Sequence, residues 1–508
     1  MMNARTTPVI ARNIAWSYAS WTVSLALPFL TVPLCLHFLG QKSYGDWIVI
    51  LSITSYLGLA NLGLGQTVAN RMAELVATGR DSELSELVST AFFSYAALAA
   101  VMLACLMFFT PRLAPRLDLR DGSAVLLAFV AYVAMNFAAF PLGVNSMLVQ
   151  GFQRVDWDRA VDAAISVIRV LLIALGFVAG LRLVGLAVIN GAAVLAAPLI
   201  AFFLARRLTV FARPALSRFS PRLLREMLAP SAAFLGIQLG GFLIMGNTDN
   251  LVIGYAMGSA AVTRYAVPFR LIMIASGAFW VVFEALMPTI TATYARSESD
   301  RLNRGFIFAT RIALVYGTLA TVGLWIVGPS FIRLWAGPGV FPGRLTFGLQ
   351  LFLLIGGTWV SAASAMLWAT TRHYGWSVLT IFEGFLNLGL SLWWVRIWGL
   401  PGVIGATVAA SVLTNFWYLP YKAIRTLQIP IGLAARELGP TMAMSAIAIV
   451  ATIAFWRPVS PSWPEVLSAA AIGEAILLLA FGMIGFSNDE RRLAALWFSQ
   501  RVRLLRAA

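Results

Sequence analysis

Most enzymes and soluble domains are built from groups this 508-residue chain hardly has. Charged residues make up 11% of it, against roughly a quarter in an ordinary soluble domain. Histidine occurs only at His37 and His373, and cysteine only at Cys35 and Cys105. No G-x-S-x-G, Walker A, H-E-x-x-H or paired C-x-x-C pattern is present, which excludes the common hydrolase, nucleotide-loop and zinc chemistries. Long polar loops are missing too: the longest interval between apolar runs is residues 206–228. That leaves no room for a catalytic domain, and an ATP-driven pump would need a separate subunit. The reading is of a non-enzyme with no cofactor, metal or disulfide. Both cysteines lie in apolar runs and read as small core residues.

What the chain has in excess is hydrocarbon. Sixty per cent of it is hydrophobic (60%), and breaks at charges and turn residues divide it into about fourteen runs near the 20-residue length of a spanning helix. The second of these covers residues 44–66, the seventh 229–257 and the last 463–486. The fold class that follows is an all-α polytopic membrane protein.

The net charge of +16 comes almost wholly from arginine. In a soluble protein it would point to nucleic acid, but here the positive-inside rule accounts for it and no nucleic-acid partner is expected. The densest cluster is Arg206–Glu226, followed by the tail from Ser487, so both termini are placed in the cytoplasm. The first apolar run is too long for a cleavable signal and is read as the first span. In the tail, Leu493, Leu496 and Trp497 share a helical face among arginines, the pattern of an interfacial anchor on anionic lipid.

The chain is also written twice. Ser146–Ala164 recurs in type as Ala365–Glu383, placing Met147 over Met366, Leu148 over Leu367 and Trp157 over Trp376 at an offset of 219 (366 − 147). Leu183–Val188 matches Val403–Val408, Ala205–Leu208 matches Ile424–Leu427, and Phe38–Trp47 resembles Ala256–Val267. A repeat of six spans starts and ends on one side of the membrane, so its copies must be parallel, as in transporters whose halves rock about a central path. The expected organisation is an N-lobe over 1–228 including the basic linker, a C-lobe over 229–437, two extra helices over 438–486 and the amphipathic tail over 487–508.

Six charges lie deep in spans, where each costs about 2.5–3.5 kcal/mol on insertion scales unless it meets a cavity or a partner. They are Arg169, Asp249, Arg270, Glu284, Glu383 and Glu474, while Arg311 and Asp162 are near enough to the cytoplasmic ends to snorkel. Asp249 and Arg270 sit at matching depths, about 10 Å below the outer face at 1.5 Å per residue, and are expected to pair, either as a fixed bridge or as one broken in transport. Arg169 and Glu383 have matching depths in corresponding spans and are candidates to face each other. Pro28 and Pro33 in the first span and Pro268 and Pro288 in the eighth mark candidate bending helices. Asn13, Ser17, Tyr18, Ser20 and Thr22 beside Arg12 either line an inward cavity or bond between helices. Asp156-Trp157-Asp158 has the spacing of a nucleotide-sugar metal motif, but Arg154 and Arg159 flank it and solvated ion pairs explain it.

With two six-span lobes, the Gly40–Tyr44 turn, Thr248–Gly258 followed by Tyr265 and Arg270, and two additional helices, the chain resembles the multidrug/oligosaccharidyl-lipid/polysaccharide exporter superfamily, and within it the bacterial polysaccharide transporters that flip lipid-linked oligosaccharide. The resemblance covers residues 10–486. It implies a two-lobed, alternating-access flippase of the bacterial inner membrane that moves polyprenyl-diphosphate-linked glycan outward, driven by an ion gradient or the membrane potential. Implied partners are the glycan substrate, membrane lipids, and a polymerase and glycosyltransferases of polysaccharide biosynthesis. Such a cargo needs cations for its diphosphate, for which Arg12, Arg169 and Arg270 are the candidates, with Asp249, Glu284 and Glu383 as coupling or ion-pair acids. The alternatives are a cation-coupled drug exporter, a peptidoglycan-precursor flippase of the same fold, and a membrane scaffold protein with no transport of its own.

Overall fold

The computed structural model describes residues 7–56, 58, 64–113, 123–209, 213–244, 246–296, 298–370, 374–455 and 462–481. Among the described residues every regular element is helical. The first half contains α1 (Thr7–Ser55), α2 (Leu64–Thr78), α3 (Asp81–Leu113), α4 (Ser123–Leu142), α5 (Val144–Gly151), α6 (Val155–Val178) and α7 (Leu183–Leu208). The second contains α8 (Pro221–Ile244), α9 (Asn247–Met257), α10 (Ser259–Ala295), α11 (Ser299–Ala336), α12 (Arg344–Ala369), α13 (Tyr374–Trp398), α14 (Leu400–Leu413) and α15 (Asn415–Thr426). After these come α16 (Ile431–Phe455) and α17 (Trp463–Ala480).

Nine helical stretches among the described residues are individually long and apolar enough to cross a membrane. The other expected spans fall on α1, on α8 with α9, on α10 and on α17. Helix α1 holds the first span and the start of the second: it passes through Pro28 and Pro33 and leaves helical geometry at Gly40 (φ 72°, ψ 174°), a conformation glycine tolerates. The second span was expected to end at residue 66, yet helix resumes at Leu64 and continues to Thr78. There Gly79 (φ 66°) turns the chain into α3, and Arg80 reaches Glu74 at 3.0 Å and Glu83 at 3.1 Å.

The internal repeat is visible in the backbone. Gly258 (φ 80°, ψ 168°) repeats the Gly40 geometry, and Gly399 (φ 62°) repeats Gly180 (φ 84°). It is visible in the packing too. Leu148 is buried in a core with Met72, Leu87 and Met227, against which Met147, Trp157 and Leu208 pack. Their aligned residues Met366, Leu367 and Leu427 are buried in a second core with Phe306 and Leu419, against which Trp376 packs.

Compact units do not follow the repeat boundary. One comprises 1–266 with 380–403, the other 267–379 with 404–508. Segments 229–266 and 380–403 join the first because α9 packs along α1 and because α8 and α13 touch backbone to backbone: a Cβ on Gly240 would overlap Thr380 O. In the second unit α16 and α17 both pack on α11.

Candidate functional site

Polar side chains buried in an apolar bundle are expensive unless they bond each other, and the first unit concentrates them along one seam. Beyond Gly40, α1 and the residue that follows it present Gln41, Asp46, Ser52 and Tyr56 to the segment 248–263. Thr263 Oγ1 donates to Gln41 O at 2.7 Å, Ser259 Oγ donates to Asp46 Oδ1, Asn250 Nδ2 donates to Ser52 Oγ at 3.1 Å, and the Tyr56 and Thr248 hydroxyls lie 2.6 Å apart. Partner numbers fall as those on α1 rise, so the contacts form four rungs in antiparallel order. Gly45 permits the approach, since a Cβ there would overlap Ser259 O. Asp46, 3% exposed, also lies by the first residue of α10, where the helix dipole favours an anion.

Asp249 belongs to this seam. It is 1% exposed, and the Tyr265 hydroxyl donates to its Oδ2 at 2.5 Å. The expected partner was Arg270. The structure instead gives the acid a tyrosine and the first turn of α9, which starts at Gly246 in the left-handed conformation (φ 70°) after a break in the seventh span. Arg270 is exposed and belongs to the second unit. Sequence depth carries no information on the direction in which a side chain points.

Helix α13 contributes a second polar line. Glu383 (1% exposed), Asn387 and Ser391 are buried four residues apart on one face. Asn387 Nδ2 donates to Leu243 O of α8 at 3.2 Å, and Ser391 Oγ to Asn387 Oδ1 at 3.2 Å. Arg169, expected opposite Glu383, is half-buried on α6 with its charge acting on Tyr132 of α4; both residues fall in the first unit. Side chains of Arg12, Glu284 and Glu474 lie outside the described ones, as do those of Asn13, Ser17, Tyr18, Ser20, Thr22 and Pro288, and the tail from residue 482.

Three further expectations are corrected. Arg311 does not snorkel: it is 3% exposed and its Nη2 donates to Glu437 O at 2.8 Å and Oε2 at 3.1 Å, pinning α11 to α16. Asp156 and Asp158 are buried rather than solvated, because they occupy the first turn of α6, Gln150 Nε2 donates to Asp158 at 2.7 Å, and Arg154 stacks on Trp157 at 3.8 Å. Cys105 is exposed on the bundle surface, whereas Cys35 is buried as expected. The residues missed were Asp46, Ser52, Tyr56, Asn387 and Ser391. The available signal was Gly45-Asp46 following Gly40, in a stretch that resembles the residues around Gly258.

Residues 10–294 match the model of the family described as "Polysaccharide biosynthesis protein". A curated relative, "Succinoglycan biosynthesis transport protein ExoT" of Rhizobium meliloti (strain 1021), is 26% identical over 336 residues, 64% of this chain. The match spans 61% of that relative's length. Among solved structures, "Lipid II flippase MurJ, inward closed conformation" shares the fold at a TM-score of 0.67 and 12% identity, covering 92% of this chain and 98% of that one. An inward-facing multidrug resistance MATE family transporter of the MOP superfamily gives 0.61 at 16% identity, covering 80% and 95%. The chain therefore belongs to the polysaccharide biosynthesis protein family and is a multi-pass membrane protein with the fold these two solved structures share.

Proposed function

We propose that the chain flips a lipid-linked oligosaccharide from the cytoplasmic to the outer leaflet of the bacterial inner membrane by alternating access, with both termini in the cytoplasm. The moving halves are the lobes 1–228 and 229–437. The observation that carries this reading is the four-rung ladder between α1 and the 248–263 segment. It starts at the end of the bundle holding Gly40 and Gly258, opposite the basic linker, and runs inward from there along about 22 Å of helix. A static weld in a membrane is made most cheaply from apolar side chains. A closure of hydrogen bonds averaging about 0.6 kcal/mol each can instead be exchanged for water when it parts. It is therefore read as the closed outer gate of a transporter facing inward.

Arg12, Arg169 and Arg270 are the proposed ligands for the diphosphate, and Asp249, Glu284 and Glu383 the proposed coupling acids. In this scheme Asp249, held by Tyr265 within the gate, links ion occupancy to opening. A polymerase and glycosyltransferases would act on either side of the flip. The second reading, a cation-coupled exporter of small molecules, draws on a specific observation: the fully buried charges among the described residues are Asp46, Asp156, Asp158, Asp249 and Glu383 against Arg311 alone.

Proteoliposomes separate the two. Fluorescent polyprenyl-diphosphate oligosaccharide should change leaflet in vesicles containing the protein, and Arg169→Gln or Arg270→Gln should abolish the transfer at normal membrane abundance. Export of a cationic dye without glycan transfer establishes the second reading instead.

A further inference from the structure

A cavity of about 620 Å³ opens in the first unit between the Leu39–Asp46 corner of α1, the first turn of α4 and the Gly180–Ile189 turn into α7. This lies within the ~300–1,000 Å³ typical of ligand sites. It sits at the opposite end of α7 from the basic linker, about 39 Å away at 1.5 Å per residue over its 26 residues. Its walls are largely aliphatic, but two cations stand on different segments of its rim: Lys42, one of only two lysines in the chain, and Arg182.

Arg182 is set by the chain around it. Gly180 (φ 84°) closes α6 with the bonds Leu181 N→Gly176 O at 2.8 Å and Gly180 N→Phe177 O at 3.0 Å, a turn that ends one helix and opens the next within a few residues. One guanidinium nitrogen, Nη1, then reaches Phe38 O at 3.5 Å, directing the exposed side chain to the rim. The single acid of the lining, Asp46, is buried and accepts from Ser259. First-turn residues of α4 and α7 complete the wall, and no side chain caps α7, so its positive end faces the same space.

The fold does not require these cations. In the second copy of the repeat the same left-handed glycine, Gly399, is followed by Leu400 and Pro401, and Ala260 stands where Lys42 does. The turn closes there without a charge. Only the first copy adds a lysine and an arginine to a concave, weakly polar surface. Arginine's planar fork matches phosphate and carboxylate bidentately, and an aliphatic floor strengthens such a bond by excluding water.

We propose that this cavity binds an oxyanion, phosphate or carboxylate, from the side of the membrane opposite the basic linker. It is carried by the exported glycan or its lipid carrier, and in that respect the inference rests on the flippase reading. Lys42 and Arg182 hold the anion. Asp46 joins the cavity to the gate, because an anion beside it raises the cost of its negative charge and weakens the bond from Ser259.

The test is calorimetric titration of the full-length protein in nanodiscs of zwitterionic lipid, at fixed ionic strength, with inorganic pyrophosphate and separately with glucuronate. Saturable binding of at least one is expected, weakened about tenfold by Arg182→Gln or by Lys42→Gln, as suits loss of one charged hydrogen-bonding group. Arg182→Lys should recover part of it. Binding of pyrophosphate alone assigns the site to the carrier's phosphates, and binding of glucuronate to an acidic sugar. Absence of saturable heat with both, or an unchanged affinity in the double variant, overturns the proposal. Neither result depends on leaflet transfer: a protein that binds the anion but moves no glycan sinks the flippase reading and leaves the site standing.

Discussion

Helices α8 and α9 answer the first part of α1 in the repeat, and the two copies break at the same place by different means. Pro28 stands 218 residues before Gly246 (246 − 28), the same spacing that separates Gly40 from Gly258. Proline leaves α1 helical, whereas Gly246 in the left-handed region ends α8 and starts a new helix. Beyond the break the first copy is uncharged, with Leu30, Thr31 and Val32 where the second has Thr248, Asp249 and Asn250. The comparison teaches that the geometry is shared and the acid is not. A fresh helix N-terminus and the Tyr265 hydroxyl make a carboxylate tolerable in the second copy. The first copy has neither.

The sharpest way to break that comparison is to write the acid into the first copy. Thr31, aligned with Asp249, is half-buried and bonds back to Leu27 O at 3.1 Å within its own helix. Thr31→Asp should cost about 2.5–3.5 kcal/mol, the penalty of an uncompensated charge in a span. Membrane abundance measured by immunoblot should fall severalfold. Asp249→Asn, which keeps a hydrogen-bonding group beside Tyr265, should leave abundance near normal in the same assay. Equal abundance in Thr31→Asp and wild type would mean that the environment of Asp249 is not what makes it tolerable.

Equivalent helices α3 and α11 differ in a related way. On α3, Ser89 Oγ accepts from Ala215 N at 3.2 Å and Thr90 Oγ1 from Ser220 N at 3.0 Å, so the first copy holds the basic linker. On α11 the aligned stretch is Ile307-Phe308, and Arg311 just beyond it holds α16. One scaffold position thus fastens the connection between the copies in the first and the added helices in the second. This division explains why α16 and α17 can lie outside the duplication without disturbing it.

The ladder gives the next largest effect. Gly45→Val places a side chain where Ser259 O lies, an overpacking worth about 1–3 kcal/mol against the closed arrangement. Cysteines introduced by Ser52→Cys and Asn250→Cys should cross-link efficiently in the parent, where those side chains bond at 3.1 Å. They should cross-link several times more slowly with Gly45→Val added. An unchanged rate would show that Gly45 does not set the approach.

How much of this was legible beforehand follows from what each signal encodes. Helix count and the parallel repeat could be read because hydrocarbon runs and aligned cores leave periodic traces: Leu148 with Leu367, and Trp157 with Trp376, proved to be packing positions. The acid in the seventh span stands out in the sequence, but the Tyr265 hydroxyl that meets it does not, because depth is a function of residue number while the direction a side chain points is not. Asp46 escaped because it stands two residues inside the expected start of a span, where a charge costs little and attracts no attention. Only the close approach at Gly45 makes it buried. The division into compact units was invisible for a related reason, since α8 meets α13 through Gly240 and Gly384, residues with no side chain to advertise a contact.

The smallest effect sharpens the comparison where the copies agree. Gly180 and Gly399 hold the same left-handed turn, and a Cβ on Gly180 would meet no atom within 4 Å while one on Gly399 would lie 3.3 Å from Met257 Cε, the flexible end of its side chain. Alanine at either position therefore pays chiefly the conformational cost, about 1–2 kcal/mol. Gly180→Ala and Gly399→Ala should lower the thermal midpoint of the purified protein by similar, small amounts. If the anion cavity is built on the first of these turns alone, only Gly180→Ala should also weaken oxyanion binding, because it alone displaces Arg182. Equal loss of binding in both variants would place the cations' contribution elsewhere than in that turn.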